Sequence, residues 1–225
     1  MQDGVDSNGL FDSEILPGKR LLDAGCGTGK ILIRAGRRAD SVGADASIAN
    51  LRSVRAEIPA ALLVRADVQN LPFRHSTFDV ITSRYVLEHV PDPVKFINDA
   101  YSCLRPSGRL VILLPNLRNP LILLNRLFPS QLRSFLKMLT KTKDYYRTFY
   151  RLNTSSAVRS VCESAGFDVI KSGHFNNPDL RPHLPAPFRW IFLDIFDILG
   201  INRLKESIFA VCSKGGQDNR NIRYK

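Results

Sequence analysis

Between Lys19 and Pro115, short apolar runs alternate with segments of helical character, and this alternation leaves the chain very few folds. The apolar runs "RLLDAG", "SVGAD", "ALLVRAD", "FDVITSRYV" and "GRLVILLP" read as strands. The stretches between them predict helices from about Lys30 to Arg38, Ser47 to Glu57 and Pro93 to Leu104. Strands this apolar have no face to leave in water, so the pattern predicts a parallel sheet covered by helices on both sides. Right-handed crossovers then give a doubly wound α/β topology. Beyond Pro115 a basic, leucine-rich insertion covers residues 118–151. "TSSAVRSVCESAGF" reads as the next helix, with Thr154 or Ser155 as N-cap and Gly166 as its stop, and "DVIKSGHF" as the next strand. A second insertion, 176–203, precedes the last strand, "SIFAVCSK". Residues 1–17 predict a loose lead-in with room for one short helix, and 215–225 a flexible tail, so 1–225 reads as a single domain.

Lys and Arg outnumber Asp and Glu by 32 to 21, a formal charge of +11 that favours an anionic partner: a phospholipid surface, a nucleic acid or an acidic substrate. Charge by itself does not choose among them. Cys26, Cys103, Cys162 and Cys212 form no C-x-x-C pair, so neither a zinc site nor a disulfide framework is signalled, and a reducing cytoplasm is expected. No secretory signal is recognisable, and no apolar run approaches the roughly 18 residues of a membrane span. A protein that is soluble or peripheral to a membrane is expected.

The first strand leads into "LLDAGCGTGK", Leu21 to Lys30, which leaves Gly25, Gly27 and Gly29 in the turn before the helix. Without side chains there, a ligand can approach the main-chain N–H groups. The dinucleotide fingerprint G-x-G-x-x-G fails at Lys30, and the phosphate loop G-x-x-x-x-G-K-[ST] fails at Ala24 and Ile31. Asp45 closes the second strand, where its carboxylate can accept from both hydroxyls of a ribose or cap the helix that starts at Ser47.

With D-x-G-x-G-x-G at Asp23 to Gly29, "RADVQNLPF", "FDVITSRYVLEHVPDP" and "LRPSGRLVILLPN" following in order, the chain resembles the class I S-adenosylmethionine-dependent methyltransferases. The resemblance is to the small-molecule group containing the ubiquinone and menaquinone methyltransferases, and covers residues 19–116. It implies a Rossmann-like seven-stranded sheet, mostly parallel with an antiparallel last strand, and S-adenosylmethionine as cofactor. It also implies a binding set: the loop Gly25, Cys26, Gly27 and Gly29, with Asp23 on the methionine ammonium and Asp45 on the ribose. Asp67 would receive the adenine amino group, the Val68 amide would face the ring, Ala46 and Leu71 would flank it, and the Ser83–Arg84 backbone would meet the methionyl portion.

A sulfonium methyl is already activated, so the protein chiefly has to align an acceptor and exclude water. For a hydroxyl acceptor, His89 at the mouth of the fourth strand is the candidate general base, with helix packing as its other reading. Some relatives bind a divalent metal through Glu-x-x-Glu-His; here Glu88 and His89 remain but Tyr85 replaces the first acid, so no metal is expected. Tyr85 then becomes a candidate wall of the acceptor pocket, and His174 and His183 are further base candidates. The insertions are expected to form a lid that selects the acceptor. Residues 119–151 carry seven cations against one acid, with Leu132, Phe135, Leu136 and Leu139 at helical spacing, a pattern that suits anionic lipid or packing on the domain itself. "FRWIFLDIFDILG" in the second insertion has only Asp194 and Asp197 as a polar side and must hide most of its surface. The expected activity is methyl transfer to an apolar or amphipathic small-molecule or lipid-linked acceptor, at oxygen. RNA methylation and a catalytically inactive cofactor-binding partner subunit are the alternatives, although no RNA-binding module is visible. A nicotinamide oxidoreductase is disfavoured by Lys30 and the Asp67 motif.

Overall fold

The structure, a computed structural model, describes residues 7–15, 17–36, 40–120, 122–123, 147–175, 199 and 201–215. Its strands are β1 (Arg20–Ala24), β2 (Asp40–Asp45), β3 (Leu62–Arg65), β4 (Phe78–Arg84), β5 (Leu104–Pro115), β6 (Phe167–Phe175) and β7 (Ser207–Lys214). They form a seven-stranded sheet in the order β3-β2-β1-β4-β5-β7-β6. β1 to β5 pair in parallel, and β7 runs antiparallel to both β5 and β6. The chain therefore winds outward from β1 to β3, then returns to lay β4 beside β1. That reversal opens a crevice at the carboxyl ends of the strands, the usual ligand position in a doubly wound sheet.

The helices are α1 (Ser7–Glu14), α2 (Lys30–Ala35), α3 (Ile48–Glu57), α4 (Pro93–Cys103) and α5 (Ser155–Ser164). Adjacent residues of a strand point to opposite faces, and here both faces are covered. Leu21, Val80, Val111 and Val211 pack with Phe11, Ile31 and Ala35 from α1 and α2. Their neighbours Leu22, Ile81, Leu110 and Cys212 pack with Phe96, Ile97 and Ala100 of α4 and Val158 and Cys162 of α5. This two-sided burial is why the strands read as unbroken apolar runs. α4 begins on an Asp92 cap that accepts from the Val94 amide at 3.2 Å, followed by Pro93. α5 begins on the Thr154 hydroxyl, which accepts from the Ala157 amide, and the chain leaves it through Gly166 at φ +95°.

The lead-in is better anchored than its polar composition suggests. α1 sets Phe11 and Ile15, four residues apart on one face, into the core beneath Leu21 and Val111, with Phe11 1% exposed. Glu14 reaches Arg109 of β5 at 3.0 Å, and Asp12 pairs with Arg34 of α2. α2 ends at Ala35 rather than near Arg38, because Gly36 turns the chain at φ +51°. β5 starts at Leu104, earlier than expected, and takes up the Pro106–Gly108 turn as a register shift opposite Phe78 and Val80. The amphipathic run of the first insertion, the aromatic run around Trp190 and the tail from 216 lie outside the described residues. Among the described residues no helix is long and apolar enough to cross a membrane.

Candidate active site

An open cleft of about 660 Å³ lies at the carboxyl ends of β1 to β4, within the range of about 300–1,000 Å³ that small-molecule sites occupy. Asp23, Gly25, Cys26, Gly27, Asp45, Ala46, Asp67, Val68, Arg84, Tyr85 and His89 all line it. Gly29 and Ser83 do not. Gly29 backs onto α3, where an added Cβ would lie 3.1 Å from Val54, and Ser83 is fully buried on the α4 side of the sheet. Leu71 is buried behind the rim, outside the lining.

The glycine loop is shaped by two requirements. At Gly25 the backbone has φ +77° and a Cβ would fall 2.4 Å from Val86 Cγ2, so a side chain is excluded by conformation and by space. At Gly27, φ is +52° and nothing lies within 4 Å of an added Cβ, so the bare Cα faces open space. The loop amides are committed within the protein. Gly25 and Cys26 donate to the Ala44 carbonyl at 2.7 and 3.0 Å, and Gly29 donates to Cys26 at 2.8 Å. Gly27 donates to Asp45 Oδ2 at 2.9 Å. A phosphate cradle needs such donors turned toward its ligand. Here they hold the loop to β2, and what the loop presents suits a ligand without phosphate.

Asp45 is not the N-cap of α3, a place taken by Ser47, but its carboxylate ties the glycine loop to the start of that helix. Besides Gly27, its carboxylate accepts from the Ser47 amide at 2.8 Å and Asn50 Nδ2 at 3.2 Å. Ser47 itself is the N-cap of α3, accepting from the Asn50 amide at 3.3 Å. An ionised carboxylate has about four acceptor positions, so one remains for a ligand.

Asp23 is 2% exposed and accepts from Thr82 Oγ1 at 2.9 Å. Burial pushes its carboxyl up to about 7, opposed by the Thr82 hydrogen bond and the charge of Arg84. The β1–β4 register sets Asp23 opposite Thr82, and Arg84 follows two residues later on the same face. One acid and one cation thus stand in sequence along the cleft floor. Cys26 shares this wall, but burial and the nearby Asp23 and Asp45 charges push its thiol up to about 12, which makes it a packing group.

On the adenine side, as the resemblance assigns it, Asp67 is exposed and its Oδ1 accepts from the Gln69 amide at 2.9 Å. Gln69 also contacts the Asp67 carboxylate through Nε2 and accepts from the Asp92 amide at 3.1 Å, so it ties the end of β3 to the start of α4. Val68 is buried beneath this rim.

The opposite end of the cleft holds Tyr85, Glu88 and His89. Tyr85 adopts φ +54°, uncommon for a bulky side chain, while its amide donates to the Leu113 carbonyl and its phenol meets Ser207 Oγ at 2.7 Å. Burial raises its ionisation well above the ordinary tyrosine value, so the phenol keeps its proton. His89 is partly exposed, and its Nδ1 lies 3.0 Å from the Arg147 carbonyl. A carbonyl only accepts, so Nδ1 carries the proton and Nε2 is the basic nitrogen of the neutral ring. Glu88 is 4% exposed, with Oε1 3.9 Å from His89 Nε2, and burial pushes its carboxyl up to about 8. Its backbone carbonyl accepts from the Phe149 and Tyr150 amides at 2.7 and 3.2 Å. The return limb of the first insertion is therefore fastened directly to the turn that carries Glu88 and His89.

His174, the other described base candidate, sits on β6 away from the cleft and meets Ser155 Oγ at 2.9 Å. His183 lies outside the described residues. Thr82, which fixes Asp23, and Gln69, which closes the rim, were not legible as site residues in the sequence. A strand threonine and a loop glutamine carry no motif, and both roles depend on distant strands.

Comparison with known proteins adds four findings. A family model described as "Methyltransferase domain" matches residues 5–172. The ubiquinone/menaquinone biosynthesis C-methyltransferase of Ruegeria sp. is 37% identical over 113 residues, 44% of this chain and 45% of that protein, so the match spans less than half of that relative's length. The ubiquinone biosynthesis O-methyltransferase of Acinetobacter baumannii is 31% identical over 185 residues, 76% of this chain and 73% of that protein. A solved structure from Bacillus halodurans C-125 superposes with a TM-score of 0.64 at 20% identity, covering 94% of this chain and 100% of that one, a likeness of fold alone.

Proposed function

The chain belongs to the class I S-adenosylmethionine-dependent methyltransferases, and within that family we propose that it methylates an apolar or amphipathic small-molecule or lipid-linked acceptor at oxygen. The observation that carries this reading is the meeting, in one cleft, of a bare glycine loop, three acids at the ends of β1, β2 and β3, and a histidine whose Nε2 is basic. When bound, S-adenosylmethionine supplies a methyl group already activated by its sulfonium. Asp23 would take the ammonium of its amino-acid end, the Ser83–Arg84 backbone would meet its methionyl portion, and Asp45 would accept from the ribose with its remaining position. Asp67 would receive the adenine amino group, the Val68 amide would face the ring, and Ala46 would flank it.

His89 Nε2 holds the proton of the acceptor hydroxyl, and the Arg147 carbonyl keeps the ring in the tautomer that allows it. Tyr85, fixed in neutral form on Ser207, forms acceptor wall rather than base. Support for an oxygen acceptor comes from the likeness to the Acinetobacter O-methyltransferase, whereas the likeness to the Ruegeria C-methyltransferase makes carbon the competing atom. An anionic membrane surface is proposed as a further contact, on the strength of the basic first insertion.

Calorimetry with S-adenosylhomocysteine, followed by mass spectrometry of extracts incubated with enzyme and methyl-labelled S-adenosylmethionine, tests the reading. The expected outcome is saturable binding and a labelled ether or ester product, with His89→Ala slowing transfer by about 100-fold or more. A labelled carbon product, or a His89→Ala loss of only a few-fold, would remove the base from the mechanism.

A further inference from the structure

Gln69 follows Asp67 by two residues on the rim of the cleft, and both side chains line it. The Gln69 main-chain amide donates to Asp67 Oδ1 at 2.9 Å, and Nε2 lies 3.3 Å from Oδ1 and 3.2 Å from Oδ2. At the other end of the carboxamide, Oε1 accepts from the Asp92 amide at 3.1 Å. These partners leave the side chain one orientation. The Asp92 N–H only donates, so the amide oxygen must face it, and a carboxylate only accepts, so the amide nitrogen must face Asp67. Asp92 is itself the cap of α4, and the Leu71 amide donates to Asp99 Oδ2 on the same helix at 2.9 Å. Gln69 is therefore braced against a helix at one end and against the acid at the other.

This bracing decides what Asp67 offers to the cleft. An ionised carboxylate has about four acceptor positions. Two donors fall on Oδ1 and one on Oδ2, so the position left over belongs to Oδ2. With Nε2 directed at both carboxylate oxygens, this corner of the rim presents an acceptor to the cleft in place of a donor.

We infer that Gln69 is a positioning residue that sets the base selectivity of the cofactor site: by fixing Asp67 with only Oδ2 free, it makes the rim take a 6-aminopurine cofactor and reject the 6-oxo counterpart. The inference rests on the proposed reading that Asp67 receives the adenine amino group. An exocyclic amino group donates to the free oxygen. A carbonyl in its place meets a carboxylate with no hydrogen between them, a repulsion that an unbraced acid relieves by turning away.

The test measures, by calorimetry on the full chain, the affinities for S-adenosylhomocysteine and for its deaminated analogue S-inosylhomocysteine. Wild type is compared with Gln69→Glu, Gln69→Leu and Asp99→Ala. Gln69→Glu keeps an oxygen for the Asp92 amide but sets a second carboxylate against Asp67, so that the two share a proton that can be offered to a carbonyl. Gln69→Leu removes both side-chain bonds and lets Asp67 turn. Asp99→Ala loosens the same segment without touching Gln69, and so reports a merely structural effect. The Val68 amide is present in every variant and cancels from the comparison. Wild type is expected to prefer the adenine form by about tenfold or more. That ratio should fall to within a few-fold of one in both Gln69 variants, while Asp99→Ala keeps the wild-type ratio even where both affinities drop. A wild-type ratio near one overturns the inference, as does an unchanged ratio in either Gln69 variant that still binds S-adenosylhomocysteine. An equal fall in Asp99→Ala also overturns it, because selectivity would then follow the order of the segment. In each of these cases S-adenosylhomocysteine still binds and the cofactor reading stands; failure of the wild type to bind it at all sinks that reading and the inference with it.

Discussion

Asp23 and Glu88 are carboxyls that the fold keeps from water; among the described residues no Lys or Arg forms a salt bridge with either, Arg84 acts on Asp23 at a distance, and Glu88 has only the His89 ring at 3.9 Å. Desolvation disfavours the charged form, so both hold their protons to higher pH than an exposed acid, Asp23 to about 7 and Glu88 to about 8. The folded chain therefore binds protons that the unfolded chain has released by about pH 5, and stability falls as pH rises. We predict that the ligand-free protein is most stable at the acid side of neutrality and that its Tm declines from about pH 5 to about pH 8 and then levels off. Asp23→Asn should lessen the decline up to about pH 7 and Glu88→Gln across the whole interval, as measured by thermal melts from pH 5 to 9. A Tm that rises across this interval in the wild type would mean that the two carboxyls are not buried as described. Binding should carry the opposite slope. If Asp23 must ionise to receive an ammonium, affinity for S-adenosylhomocysteine improves by up to about tenfold per pH unit below 7, with proton release visible as a buffer-dependent binding heat.

At the scale of elements, the sequence made visible what repeats or constrains the backbone. The β5 run is legible because Leu110 to Leu114 are buried on alternating faces, and the glycine loop because Gly25 tolerates no side chain. α4 and α5 announced themselves through Asp92–Pro93 and Thr154. α1 did not, because its polar residues outnumber the two, Phe11 and Ile15, that dock it. The buried Asn116 after β5, which donates to the Arg203 and Lys205 carbonyls, was equally hidden, since those partners lie more than 80 residues away and an asparagine after a strand looks like any turn residue. α1 matters more than its length implies, for it closes the face of the sheet on which Asp23, Thr82 and Arg84 stand. Phe11→Ala should cost about 3–5 kcal/mol, the usual range for emptying a buried phenylalanine position. Chemical denaturation checks the value. A loss below about 1 kcal/mol would mean that α1 only rests on the sheet.

For the whole molecule the net charge of +11 is unevenly spread in sequence, because residues 119–151 hold seven cations against one acid. Its described ends leave the sheet at Asn119 and return through Phe149 and Tyr150 onto Glu88, beside His89 at the cleft. Each cation near an anionic bilayer contributes on the order of 1 kcal/mol, so three or four acting together would hold the enzyme reversibly at a lipid surface, and salt would release it. An apolar acceptor dissolved in that membrane would then reach the cleft without crossing water. Co-sedimentation with anionic vesicles is expected for the wild type at low ionic strength, lost at high salt and lost again on Arg133→Glu, Lys137→Glu and Lys141→Glu together. Absence of wild-type binding at low salt would make the insertion an intramolecular cover. Equal binding by the triple variant would move the contact elsewhere, with the aromatic run around Trp190 the next to test.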